Sequence, residues 1–131
     1  MTTERPDVLA ALRETGAILN GHFQLTSGRH SDTYVQCARV LEHPRLTAEL
    51  GRQMAEQVTE HQVDLVASPA VGGIVIGFAG AQALDVRFIF SERQQGVMTF
   101  RRGFTVTPGE RVLIVEDVVT TGGSVAEVAS L

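Results

Sequence analysis

The stretch Val112-Leu113-Ile114-Val115-Glu116-Asp117-Val118-Val119-Thr120-Thr121-Gly122-Gly123-Ser124 decides how this chain is read. It begins as an apolar run of the kind buried in parallel sheets, and the predicted strand covers Arg111 to Val115. Two adjacent carboxylates follow where that strand ends, the edge at which open α/β sheets bind ligands. Burying uncompensated carboxylates is costly, so Glu116 and Asp117 require hydroxyl donors, a cation or solvent. Beyond them, Thr120 to Ser124 offer hydroxyls and unobstructed backbone N–H groups where a helix opens, which suits a terminal phosphate. A phosphorylated ribose with vicinal hydroxyls, together with Mg2+, answers both halves of the pattern. The Gly-Lys-Ser/Thr of a Walker loop is missing, and so is a Gly-x-Gly-x-x-Gly turn.

Working outward, a second strand-then-glycine unit lies upstream. Val63 to Ala67 form a short apolar strand, followed by Ser68-Pro69-Ala70-Val71-Gly72-Gly73. Ile74 to Leu84 are apolar nearly all round, which predicts a buried helix, and Val86 to Phe90 a further strand. Residues 97–106 suggest a ribbon and Pro108-Gly109 a turn. Towards the N-terminus, Pro44 to about Glu60 carry Leu46, Leu50, Met54 and Val58 at intervals of four, an amphipathic helix. Residues 23–36 mix apolar residues with hydroxyls and read as extended strand or loop. Pro6 suits a helix first turn, with Val8, Leu9 and Leu12 on one face and Gly16 at its end. Short apolar strands alternating with helices imply an α/β fold with a parallel sheet.

The chain of 131 residues is expected to be one domain. Its net charge is −4 and no basic run exceeds Arg101-Arg102, so a nucleic-acid partner is not expected. All 11 basic residues are arginine. One cysteine, Cys37, fits a reducing compartment, and no leader or membrane-spanning run is visible, which together point to the cytoplasm.

The acid-and-glycine string resembles the 5-phosphoribosyl 1-pyrophosphate signature of the type I phosphoribosyltransferases. Three more segments fall in that family's order. Gly21-His22-Phe23-Gln24-Leu25-Thr26-Ser27-Gly28-Arg29-His30-Ser31 is similar to the N-terminal Phe-x-Leu-x-Ser-Gly segment of its orotate branch. Ser68 to Gly73 look like the pyrophosphate loop, and Ser91 to Phe104 like the mobile loop and hood. The resemblance implies a parallel-sheet fold with a small hood: hood elements at 1–40 and 97–106, core at 44–96 and 110–131. It implies transfer of phosphoribose to orotate, giving orotidine 5′-phosphate and pyrophosphate. The alternatives are transfer to another base, or a non-catalytic regulator that senses the ribose pyrophosphate.

Residue by residue, the resemblance gives Glu116 and Asp117 the ribose hydroxyls, and Val118, Val119, Thr120, Thr121, Gly122, Gly123 and Ser124 the 5′-phosphate loop. Val71 and Gly72 would line the pyrophosphate site. Tyr34, Val35 and Thr120 would flank orotate. Arg93 and Asp117 carry the catalytic role, with Arg93 reaching the pyrophosphate of a partner in a homodimer. No residue is assigned as a direct metal ligand.

The chain departs from the family in two ways. Thr26 and Val97 stand where several relatives place lysines, which leaves arginine to meet phosphate charge. The family's fold also continues past the phosphate loop, to an arginine that meets the orotate carboxylate, so the sequence is expected either to be a fragment or to leave a sheet edge uncovered. His22, His30, His43 and His61 are read as solvated or structural, Cys37 as packed, and Met98 and Phe100 as alternating strand residues.

Overall fold

The computed structural model describes residues 7–25, 27–119 and 121–131. Pro6, Thr26 and Thr120, each given a part above, lie outside them. Asp7 opens helix α1 (Val8–Glu14) by accepting the N–H groups of Leu9 and Ala10 on Oδ1, at 3.0 and 3.4 Å. Gly16, at φ +73°, ends it. Strands β1 (Ile18–Gln24) and β2 (His30–Val35) then pair antiparallel as a separate two-stranded sheet. The extended segment expected at 23–36 is therefore the second half of a hairpin that starts earlier. A short helix, α2 (Ala38–Leu41), follows and has no periodic signal to announce it.

Helix α3 (Pro44–Gln57) has proline at its first turn, where the missing N–H is harmless. Its most buried line is Thr47, Gly51 and Ala55, not the leucine line, which is only half-buried. The reason is the approach of helix α4 (Gly73–Leu84). A Cβ on Gly51 would stand 2.6 Å from the carbonyl carbon of Ala79, so small residues form the seam and Leu46, Leu50 and Met54 flank it. The terminal methyl of Met54 fills the space that a side chain on Gly80 would need.

The main sheet comprises β3 (Leu65–Pro69), β4 (Arg87–Gln94), β5 (Val97–Phe100) and β6 (Val112–Ile114), in the order β5-β4-β3-β6. β4 and β6 run parallel to β3, and β5 antiparallel to β4. All five residues of β3 are buried, because helices cover both of its faces. Val66 packs with Ala81 and Val115 on the α3–α4 side. Leu65 and Ala67 pack with Ile89, Met98 and Val128 on the side of α5 (Gly123–Ala129).

Three expectations change. The apolar helix α4 is covered on one side only: Val75 is 49% and Phe78 59% exposed. Residues 97–106 do not join the hood as a ribbon; Val97–Phe100 forms an edge strand of the main sheet. Gln95 and Gly96 both take positive φ, the two-residue turn that matches strand twist, and Met98 is buried in the core. The acid-bearing strand is not fully buried. β6 has only β3 beside it among the described residues, and Val112 is 37% exposed. Gly51→Ala is expected to lower stability by about 1–3 kcal/mol through the clash with the α4 backbone, read as a lower urea midpoint at unchanged slope.

Candidate functional site

The chain leaves β3 towards α4 on one face and leaves β6 towards α5 on the other. The crevice between the ends of β3 and β6 is thus a switch point of the kind that binds ligands. Register sets what meets there: Ala67 pairs with Ile114, so the turn at Ala70–Gly73 and the acids Glu116 and Asp117 emerge side by side. The Ala70–Val71 peptide is cis. A Cβ on Gly72 would lie 2.8 Å from both carboxylate oxygens of Asp117, and one on Gly73 would lie 3.3 Å from Oε1 of Glu116. A Cβ on Gly73 would also stand 3.0 Å from the Val115 carbonyl oxygen, a backbone atom that cannot swing aside, so glycine there favours the close approach of the two segments.

The acids are held by backbone. The Asp117 N–H donates to Glu116 Oε1 at 3.1 Å, and the Val118 N–H donates to Asp117 Oδ1 at 2.9 Å. The Cys37 thiol donates to the Asp117 carbonyl at 3.5 Å. None of the ion pairs among the described residues involves either acid. Burial, and then the neighbouring Asp117, push the Glu116 carboxyl up to about 7. Burial, followed by the charge of Asp117, raises the Cys37 thiol as well.

Two hollows meet at the acids. A cavity of about 70 Å³ is lined by Glu116, Val118, Val119, Thr121, Gly122, Gly123, Ser124 and Val125, with Gly122 at φ +80° turning the chain into α5. The first N–H groups of a helix have no acceptors within it, so they remain available to a ligand here. A larger apolar hollow of about 340 Å³ reaches the other side of the acids, between Val35, Leu50 and Ile76. The structure therefore gathers Glu116, Asp117, Val118, Val119 and Thr121–Ser124, adds Gly72 at contact distance, and brings Val35 to the second hollow. Val71 lies on the same turn, 81% exposed.

Tyr34 does not line either hollow; its ring lies against Phe23, with centroids 5.6 Å apart. Arg93 is tied down within its own chain. Its Nη1 and Nη2 donate to the two carboxylate oxygens of Glu127, both at 3.0 Å. The segment 91–104, expected as a mobile loop, is the β4–β5 hairpin and its continuation, where Arg102 chelates Glu92 at 2.8 and 3.0 Å over the Phe90 ring. Sequence reasoning missed Glu127 and the thiol contact of Cys37, both products of long-range packing. Among the described residues no group of three or more His, Cys, Asp or Glu could hold a metal, and no helix is long and apolar enough to cross a membrane.

A family model described as a phosphoribosyl transferase domain matches residues 37–131. The chain belongs to this phosphoribosyltransferase family. It is 55% identical over 126 residues to an orotate phosphoribosyltransferase of Chlorobium phaeobacteroides (strain BS1), covering 96% of this chain and 65% of the relative. It is 54% identical over 124 residues to one of Pelotomaculum thermopropionicum, again covering 65% of the relative. The chain thus spans slightly less than two thirds of the length of these curated relatives. Among solved phosphoribosyltransferases, the Mycobacterium tuberculosis orotate enzyme in complex with inorganic phosphate superposes with TM-score 0.67 at 27% identity, over 92% of this chain and 70% of that one. The same enzyme in complex with 5-phospho-α-D-ribosyl 1-diphosphate gives 0.65 at 25%, over 95% and 74%.

The raised Glu116 predicts a signed pH effect. A carboxyl whose folded pKa of about 7 exceeds its ordinary 4.5 favours folding when protonated, and that contribution is lost as pH rises through 7. Glu116→Gln is therefore expected to melt at a higher temperature than the parent at pH 8, the gap closing as pH falls towards 4.5. Thermal denaturation across that range checks it.

Proposed function

We propose that this chain transfers phosphoribose from 5-phosphoribosyl 1-pyrophosphate to orotate, with Mg2+ as cofactor. The observation that carries the reading is the placement of Glu116 and Asp117, wedged between the Gly72–Gly73 turn and the Thr121–Ser124 loop. Relatives above 50% identity, the two described above among them, bear the name orotate phosphoribosyltransferase, which supports orotate over other bases.

In this reading the acids grip the ribose 2′- and 3′-hydroxyls, while Thr121 to Ser124, joined by Thr120, take the 5′-phosphate through N–H and hydroxyl donors. Val71 and Gly72 line the pyrophosphate position. Val35 and Thr120 flank the orotate ring, and Tyr34 joins them once its ring leaves Phe23. Orotate's ring nitrogen, acidic enough to lose its proton without a strong enzymic base, forms a bond to ribose C1. The bond from C1 to the pyrophosphate oxygen breaks as it does so. The protein's part is to position the reactants and stabilise charge. Arg93, once released from Glu127, supplies the bidentate cation that the lysine-free chain must find in arginine.

The donor set suits magnesium: two carboxylates with no cation partner among the described residues, offering the hard oxygen ligands this ion prefers. Glu116 and Asp117 would hold it at the ribose end, and it would supply positive charge for the departing pyrophosphate.

A homodimer fits the surface. Val75 and Phe78, one turn apart on α4, leave apolar surface outside, at 49 and 59% exposure, and a two-fold partner would cover it.

Three measurements test the reading. Incubation with the ribose pyrophosphate, Mg2+ and orotate is expected to deplete orotate absorbance; no depletion without Mg2+ is part of the same expectation. Asp117→Asn is expected to weaken ribose-pyrophosphate binding by about 1–3 kcal/mol in calorimetry, and unchanged affinity would remove the acid from this role. Phe78→Glu is expected to shift the sedimentation of the chain from dimer to monomer.

A further inference from the structure

His22 and His30 lie outside the site just described, and nothing in the proposed reaction uses them. Both side chains are exposed, yet Nε2 of His22 stands 2.5 Å from Nδ1 of His30, with ring centroids 4.7 Å apart and planes at 62°. Backbone pairing alone does not bring them together, since the partner of His30 is Gln24. The register shifts between Asn20 and Phe23, so Gly21 and His22 of β1 face the single residue Asp32 of β2. Such a bulge adds twist and re-aims one side chain. Here it turns His22 onto His30, so that two imidazole nitrogens converge at the hairpin surface.

We propose that His22 and His30 form a two-nitrogen chelate for a borderline transition-metal ion such as Zn2+, Ni2+ or Cu2+. Neutral imidazole is the side-chain ligand these ions favour, whereas Mg2+ prefers oxygen donors and would not compete. Two imidazole nitrogens at about 2.0–2.1 Å from one Zn2+ stand roughly 3.3 Å apart in tetrahedral geometry. The pair must therefore open by a little under about 1 Å, and solvent on both rings leaves their rotamers free to do so. Water completes the coordination sphere. The bound ion would clamp β1 to β2 across the bulge, where the backbone ladder is interrupted. Neither histidine lines the hollows at Glu116 and Asp117, and the chelate does not depend on the reaction proposed above.

The test is calorimetric titration of the whole chain with ZnCl2 in a chelator-free buffer near pH 7.5, repeated in excess Mg2+. One Zn2+ is expected to bind, unaffected by Mg2+, and both His22→Ala and His30→Ala are expected to weaken it at least about tenfold, as loss of a direct ligand should. His43→Ala and Cys37→Ser are expected to bind as the parent does. Absence of zinc binding, or parental affinity in either His22→Ala or His30→Ala, would overturn the proposal and leave the pair as a hydrogen-bonded hairpin contact. Loss of binding in Cys37→Ser would overturn it too, by placing the ion at the thiol.

Discussion

Two adjacent carboxylates must be kept at the end of a buried strand, and the ligand edge of the structure is arranged around that demand. Glu116 and Asp117 reach neither bulk water on all sides nor any arginine among the described residues. What they have is each other, two backbone N–H groups and the space vacated by glycines. The electrostatic cost appears in Glu116, whose proton is retained to about neutral pH. A site left short of positive charge when empty has a built-in preference for ligands that bring hydroxyl donors and a cation with them. That preference, rather than any single contact, is what the proposed sugar-phosphate chemistry would draw on.

In the proposed reaction a lysine-free chain must meet phosphate with arginine, and two of its arginines are already paired. Arg93 and Arg102 are each chelated by a carboxylate, Glu127 and Glu92, on the surface of the β4–β5 hairpin and its continuation. Such exposed pairs contribute little stability. They are easily exchanged for a phosphate of higher charge, so a guanidinium held this way is oriented without being committed.

How much was legible depended on how local the signal was. The apolar run before Glu116, the turn glycines after it and the second strand-glycine unit at Ser68–Gly73 announce themselves in a few residues each. The strands and the glycine turns that follow them could therefore be read directly. The contact between Gly72 and Asp117 could not, because nothing in either segment encodes the register of β3 against β6. The leucine line of α3 pointed to the correct side of the helix but not to its deepest line. Interhelical distance is set by Gly51 meeting Ala79, a pair of small residues far apart in sequence. The hairpin at Gln94–Val97 was hidden because Gln95 contributes a positive φ that is usually left to Asn or Gly. Tyr34 and Arg93 were assigned through resemblance, and their contacts here, Phe23 and Glu127, come from packing that no motif records.

The pairing of Ala67 with Ile114 acts as a ruler for the crevice. Counting outward from that pair, five residues along one strand reach Gly72 and three along the other reach Asp117, and the two ends touch. Side chains alternate faces along a strand, so deleting one residue between Val112 and Val115 would turn the acids to the opposite side of the sheet without changing the overall apolar character. Length within β6 is thus far less negotiable than identity. Valine, leucine and isoleucine can trade places there at small cost, whereas a single insertion or deletion would turn the acids away from the Gly72 turn in a domain that still folds.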